Sequence, residues 1–147
     1  MARPTTPPIG LELANTAKRV SQAFDAALAR SGGSRPVWLI LLTIKTRTVA
    51  NQQEIADAIG IRGATLTHHL NAMEADGLLT RRRDDANRRS HLVELSKAGQ
   101  QAFEAMRDAA VKFDRRLRKG LTEADIAELR RILTKLDANT TASTGQG

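Results

Sequence analysis

The chain has 147 residues, of which 27% are charged, with a formal net charge of +7 and no cysteine. That length suits one domain, or one small module inside a helical frame, and the missing cysteines exclude disulfides, thiolate catalysis, Cys-based zinc sites and thiol redox sensing. No apolar run approaches the roughly 20 residues that span a bilayer, and the N-terminus has no signal-peptide core, so a cytoplasmic location is expected.

Positive charge points to an anionic partner, but its distribution is informative: residues 1–47 carry +5, residues 48–97 are neutral and residues 98–147 carry +2. Clustering rather than net charge must therefore locate the partner's site. In chain order, Met1 to Pro8 holds three of the four prolines and reads as a flexible arm, residues 1–8. Leu13, Ala17, Val20, Phe24, Ala27 and Leu28 recur at helical spacing, predicting an amphipathic helix over 9–30 that Ser31-Gly32-Gly33 ends. A second helix is expected from about Ser34 to Lys45, with Pro36 in its first turn. Trp38, Leu39, Leu41 and Leu42 make it apolar almost all round, so it should be buried.

Asn51-Gln52-Gln53-Glu54 has the form of a capping box, opening a helix through Ile59. Gly60 permits a sharp turn, and a further helix follows from Arg62 or Gly63 to Asp76, stopping at Gly77. Its inward stripe is Leu66, His69 or Leu70, and Met73. The opposite face carries Arg62, Ala64, Thr65, Thr67, His68 and Asn71, small and polar side chains that let a helix approach a DNA groove and exchange hydrogen bonds with base edges.

Leu78 to Arg82 and His91 to Leu95 read as two strands, with Leu92, Val93 and Leu95 as their core residues. Between them, Arg81-Arg82-Arg83-Asp84-Asp85-Ala86-Asn87-Arg88-Arg89 puts five arginines into nine residues. Alone, such a run is usually a solvated face. Directly after a helix-turn-helix it becomes a basic wing that follows phosphates or enters the minor groove.

Ser96 is a candidate N-cap for a helix whose seam is Phe103, Met106, Ala110, Phe113 and Leu117, ended by Gly120. Thr122-Glu123-Ala124-Asp125 then caps a last helix with the stripe Ile126, Leu129, Ile132, Leu133 and Leu136. The fold class is mainly α (α+β): a winged helix-turn-helix over 34–97, long dimerisation helices over 9–33 and 98–138, and a disordered tail over 139–147. The long helices carry more apolar stripe than the small module covers. Either they bury one another or a second copy covers them, and a homodimer is the expectation.

These residues carry a resemblance. Asn51 to Ala56, Ile59-Gly60-Ile61, Thr65 to Leu70, Met73 to Leu79, Arg81-Arg82, Asp84 to Arg89, Val93 to Ser96 and Gly99 together resemble the MarR family of bacterial transcription regulators, in detail over 34–100. The resemblance implies a homodimer on a palindromic operator, acting as a repressor that a small aromatic or amphipathic ligand releases. Its recognition-helix contacts would fall on Arg62, Ala64, Thr65, Thr67 and His68 and its wing arginine on Arg89; the residues themselves add Asn71 on the exposed helix face and Arg82, Arg83, Asn87 and Arg88 in the wing as candidate DNA contacts. Asn87 stands where the family's wing arginine, here Arg89, usually has an Asp partner, and Asp85 stands where a Pro is common. The implied ligand pocket would involve Trp38, Ile40, Leu41, His69 and Phe113, although the plain reading of those residues is core. The alternative is an architectural or constitutive DNA-binding protein without ligand response.

Enzymatic and metal chemistry find no support in the pattern, which has no Ser/His/Asp spacing, Gly-rich phosphate loop or carboxylate pair, so no catalytic residue and no cofactor is expected. His68 and His69 are adjacent and point about 100° apart on a helix, and His91 lies on a strand, so no metal site is expected either.

Overall fold

The computed structural model describes residues 5–47, 50–87 and 90–142. Among these, the element order is α1 (Ile9–Arg30), α2 (Arg35–Arg47), β1 (Ala50–Asn51), α3 (Gln52–Ile59), α4 (Gly63–Ala75), β2 (Leu79–Arg83), β3 (His91–Leu95), α5 (Lys97–Leu117) and α6 (Glu123–Ala142). No helix among the described residues is long and apolar enough to cross a membrane.

Local signals explain most boundaries. The Leu28 carbonyl accepts from the Ser31 hydroxyl and from the Gly33 N–H at 3.0 Å, which turns the chain at the end of α1. The Ser34 carbonyl then receives the Trp38 N–H at 2.8 Å and starts α2. Asn51 caps α3 by accepting the Glu54 N–H at 2.8 Å. The second half of the expected box differs, because Glu54 accepts from the Asn51 side-chain amide and from Arg47 rather than from the Asn51 backbone. Gly60, at φ 71°, closes α3 in the left-handed region and lets α4 start at Gly63, three residues later.

The three strands form one antiparallel sheet in the order β1-β3-β2. Leu79 pairs with Leu95, Arg81 with Val93 and Arg83 with His91, and on the other edge of β3 Ala50 pairs with Val93. The third strand is an addition to the expected hairpin. At two residues it is too short to show alternation, and only its partner β3 defines it.

The chain divides into two compact units, residues 1–111 and 112–147. The first holds the core, in which Leu28, Ile40, Leu41, Ile44, Ile55, Leu66, Leu70, Met73, Leu79 and Val93 are fully buried. Each such aliphatic side chain contributes about 1.5–3 kcal/mol relative to leaving it in water. Trp38 stacks on Phe103 with ring centroids 5.4 Å apart, so the start of α5 is part of this core. Leu28 of α1 and Phe103 and Met106 of α5 belong to the same core as the winged helix, a core that the expected regions 9–33, 34–97 and 98–138 share between them. α2 is also less buried than its composition suggests. Leu39 and Leu42 are 36% and 38% exposed, while Ile40 and Ile44 face inward.

In the second unit, Gly120 turns the chain at φ 84° and Thr122 with Asp125 forms a complete reciprocal cap. Along α6, Ile126 and Leu136 are half-buried, while Leu129, Ile132 and Leu133 keep 47%, 40% and 41% of their surface exposed. α6 continues to Ala142, so residues 139–142, expected in the disordered tail, are helical. The Thr140 and Thr141 hydroxyls donate to carbonyls one turn back, which removes the competition these side chains would offer a helix end.

Candidate nucleic-acid interface

α4 presents one face to the core and one to solvent, and the division follows the 3.6-residue period. Leu66, Leu70 and Met73 are buried, whereas Arg62, Ala64, Thr65, Thr67, His68 and Asn71 are all exposed. His69 is half-buried beside the stripe, and Leu70 rather than His69 completes it. At the C-terminal end the Leu78 N–H reaches the Met73 carbonyl at 2.9 Å, with Gly77 left-handed at φ 76°, which directs the chain straight into the wing.

In the wing, β2 alternates. Leu79 is buried and Arg81, two residues on, lies on the same side with only 18% of its side chain exposed, while Thr80, Arg82 and Arg83 are exposed. The arginine run is thus divided between roles. Arg81 turns back to α4, donating to Asn71 Oδ1 and to Glu74 at 3.2 Å. Its guanidinium, chiefly through that hydrogen bond, holds the Glu74 carboxyl below the ordinary glutamate range. Arg82 meets Glu94 at 3.2 Å on the exposed sheet face, a diagonal cross-strand pair. Arg83 is exposed and has no ion pair among the described residues, so its charge is available to a phosphate.

The wing turn is built by Asp84, whose carboxylate accepts the Ala86 N–H at 2.9 Å, while its own N–H reaches the Ser90 carbonyl at 3.0 Å. Asp84 is therefore a structural part of the turn. Asn87 follows on the exposed turn. The expected contacts Arg88 and Arg89 lie outside the described residues.

Sequence reasoning missed a polar hollow of about 320 Å³ beside the wing, lined by Asn51, Gln52, Gln53, Asn87, Ser90 and His91. It combines amide, hydroxyl and imidazole groups with the N-terminus of α3, all suited to phosphate oxygens. The signal for it in the chain is the amide-rich start of α3, Asn51-Gln52-Gln53, of which capping uses Asn51 alone. The residues implied as a ligand pocket are placed differently. Trp38, Ile40 and Leu41 are core side chains, His69 is on α4, and Phe113 belongs to the second unit. An apolar cavity of about 530 Å³ does exist in the first unit, but it is lined by Ala29, Gly33, Pro36, Leu39, Ile59 and Ile61 with the Asp25–Arg35 ion pair at 3.0 Å, and none of those five expected residues lines it. No group of three or more His, Cys, Asp or Glu side chains is placed to hold a metal among the described residues.

Known proteins match part of the sequence and the fold. Residues 34–91 match the MarR family model. The fold is similar to that of the transcriptional repressor CouR bound to a 23-mer DNA duplex, at 26% identity and a TM-score of 0.80, covering 88% of this chain and 92% of that one. It is also similar to a mutant MarR from E. coli complexed with operator DNA, at 19% identity and a TM-score of 0.79 over 88% of this chain and 93% of that one. Bordetella bronchiseptica BpsR, whose DNA binding is regulated by 6-hydroxynicotinic acid, matches at 21% identity and a TM-score of 0.79, covering 93% and 98%.

Proposed function

We propose that this chain is a winged-helix transcription regulator of the MarR kind, as the match of residues 34–91 to that family's model supports, and that it is a cytoplasmic homodimer that binds an inverted-repeat operator and represses transcription until a small ligand releases it. The observation that carries the reading is the exposed face of α4, with Ala64, Thr65, Thr67, His68 and Asn71 in line, standing directly beside a wing that offers Arg83 without an ion partner among the described residues. The helix supplies base contacts and the wing supplies phosphate contacts, so one element specifies and the other anchors.

The dimer is supported by unpartnered apolar surface on each unit. α1 exposes Ile9, Leu11 and Leu13, and α6 exposes Leu129, Ile132 and Leu133. Two recognition helices related by a two-fold axis would meet successive major grooves about 34 Å apart. The ligand-released repressor reading draws support from the regulation of BpsR by 6-hydroxynicotinic acid and from CouR being a repressor.

Selection of genome fragments by the purified protein at near-physiological salt tests the proposal. The expected result is an inverted repeat with half-sites about one helical turn apart, retained at least about a thousandfold over unrelated duplex. Unselective retention would favour an architectural DNA-binding protein, and no retention would overturn DNA binding altogether.

A further inference from the structure

The exposed row of α4 and the tip of the wing can serve one duplex only if their spacing is fixed, and a single side chain ties the two elements together. The half-buried Arg81 guanidinium, on β2, donates to Asn71 Oδ1 and, at 3.2 and 3.4 Å, to both carboxylate oxygens of Glu74, two acceptors one turn apart on α4. A guanidinium fork on a carboxylate is directional, so it fixes an angle as well as a distance. Beneath it the Arg81 backbone pairs with Val93, which is fully buried. Arg81 is also the outermost residue of β2 that bonds to α4 among the described residues: Arg82 turns to Glu94 within the sheet, and Arg83 has no ion pair.

A strand rises about 3.3 Å per residue, so Arg83 stands about 7 Å beyond this tie. A tilt of about 10° at Arg81 would carry it about 1 Å, more than the roughly 0.5 Å range of a good N–H···O distance. A wing free to tilt must be ordered again at each binding event, which lowers affinity without changing the bases that α4 reads. Glu74 sharpens the argument. It lies three residues past Asn71 on the same helix, and a carboxylate there repels phosphate, so by charge alone it opposes binding. Resting on the reading of α4 and the wing as the two DNA contacts, we propose that Glu74 and Arg81 are positioning residues, a strut that holds the wing at the angle where its arginines reach phosphate while α4 lies in the groove.

The test is operator affinity, read by fluorescence anisotropy at one reduced salt concentration, for Glu74→Met and Arg81→Met with folding checked by circular dichroism. Each is measured alone and in a wing-neutral background that combines Arg82→Ala, Arg83→Ala, Arg88→Ala and Arg89→Ala. Charge alone sends the two variants opposite ways, since loss of Glu74 removes a repulsion and should tighten binding, whereas loss of Arg81 should weaken it. The strut sends both the same way: each should weaken binding on the order of tenfold with the preferred sequence unchanged. In the wing-neutral background both effects should shrink to about twofold or less, because a strut acts only through what it positions. Glu74→Met puts a good helix former at an exposed position, and it decides alone where Arg81→Met does not fold or the neutral background binds too weakly to titrate. A folded Glu74→Met that binds as tightly as the wild type or tighter, effects that persist in full in the wing-neutral background, or a changed sequence preference overturns the proposal. A wing-neutral protein that binds the operator like the wild type overturns it while leaving α4 as the reading helix. A wild type that selects no site overturns both.

Discussion

Gly99 is the third residue of α5, where helix propensity alone predicts that alanine would stabilise by about 1 kcal/mol. The tertiary structure reverses the sign. A Cβ on Gly99 would lie 1.9 Å from the Leu78 carbonyl oxygen and 2.9 Å from its carbon, against a comfortable contact of about 3.5 Å. The obstacle is backbone, not the end of a flexible side chain, so α5 and the base of β2 must separate by more than about 1 Å. The same carbonyl accepts the Ser96 N–H at 3.0 Å, and the Ser96 hydroxyl links the Gly77 carbonyl to the Gly99 N–H, so the separation strains this whole junction. Overpacking of this kind costs about 1–3 kcal/mol, and one or two weakened hydrogen bonds about 1 kcal/mol each. After the propensity gain, Gly99→Ala should destabilise by about 1–4 kcal/mol, a large part of the roughly 5–15 kcal/mol of a typical domain. Thermal unfolding followed by circular dichroism should show Tm falling by about 5–15 °C. Gly63→Ala is the matched control, since nothing lies within 4 Å of its added Cβ, and it should leave Tm unchanged or raise it slightly. A Gly99→Ala protein that melts at or above the wild-type temperature would refute the packing argument.

Two further outcomes follow from the electrostatics. Arg83→Ala should weaken binding about equally on all operator sequences and reduce the slope of log K against log salt by about 0.9 per subunit, about 1.8 for the dimer, read from titrations at several salt concentrations; a change in sequence preference with an unchanged slope would show that Arg83 reads bases instead. The Arg81–Glu74 pairing depresses the folded-state Glu74 pKa below its ordinary 4.5, so its stabilisation is complete above that value and disappears as pH falls through the lower folded value. The stability gap between wild type and Glu74→Gln should accordingly close on acidification, and a gap that stays constant from neutral pH to below 4.5 would count against the pairing.

Sequence alone determined the elements whose signals are local. The apolar period gives α1 its observed bounds of Ile9–Arg30, Gly60 and Gly77 mark the ends of α3 and α4, and the Thr122–Asp125 box opens α6. The exposed face of α4 was legible for the same reason, because one helical period separates Arg62, Thr65 and Asn71 from Leu66, Leu70 and Met73. What tertiary structure decided was every feature that depends on a neighbour distant in the chain. β1 exists only because Ala50 meets Val93, and Leu39 and Leu42 are exposed because α2 is covered on one side, whatever its composition. The arginine run shows the difference most directly. Five like residues promised one basic surface, but the pleat of β2 put Arg81 on the side of Leu79, where Asn71 and Glu74 accept its hydrogen bonds, and turned Arg82 to the opposite face. Periodicity acts over a few residues and can be read from the chain, whereas the partner that accepts a buried guanidinium's hydrogen bonds is known only once the chain has folded back on itself.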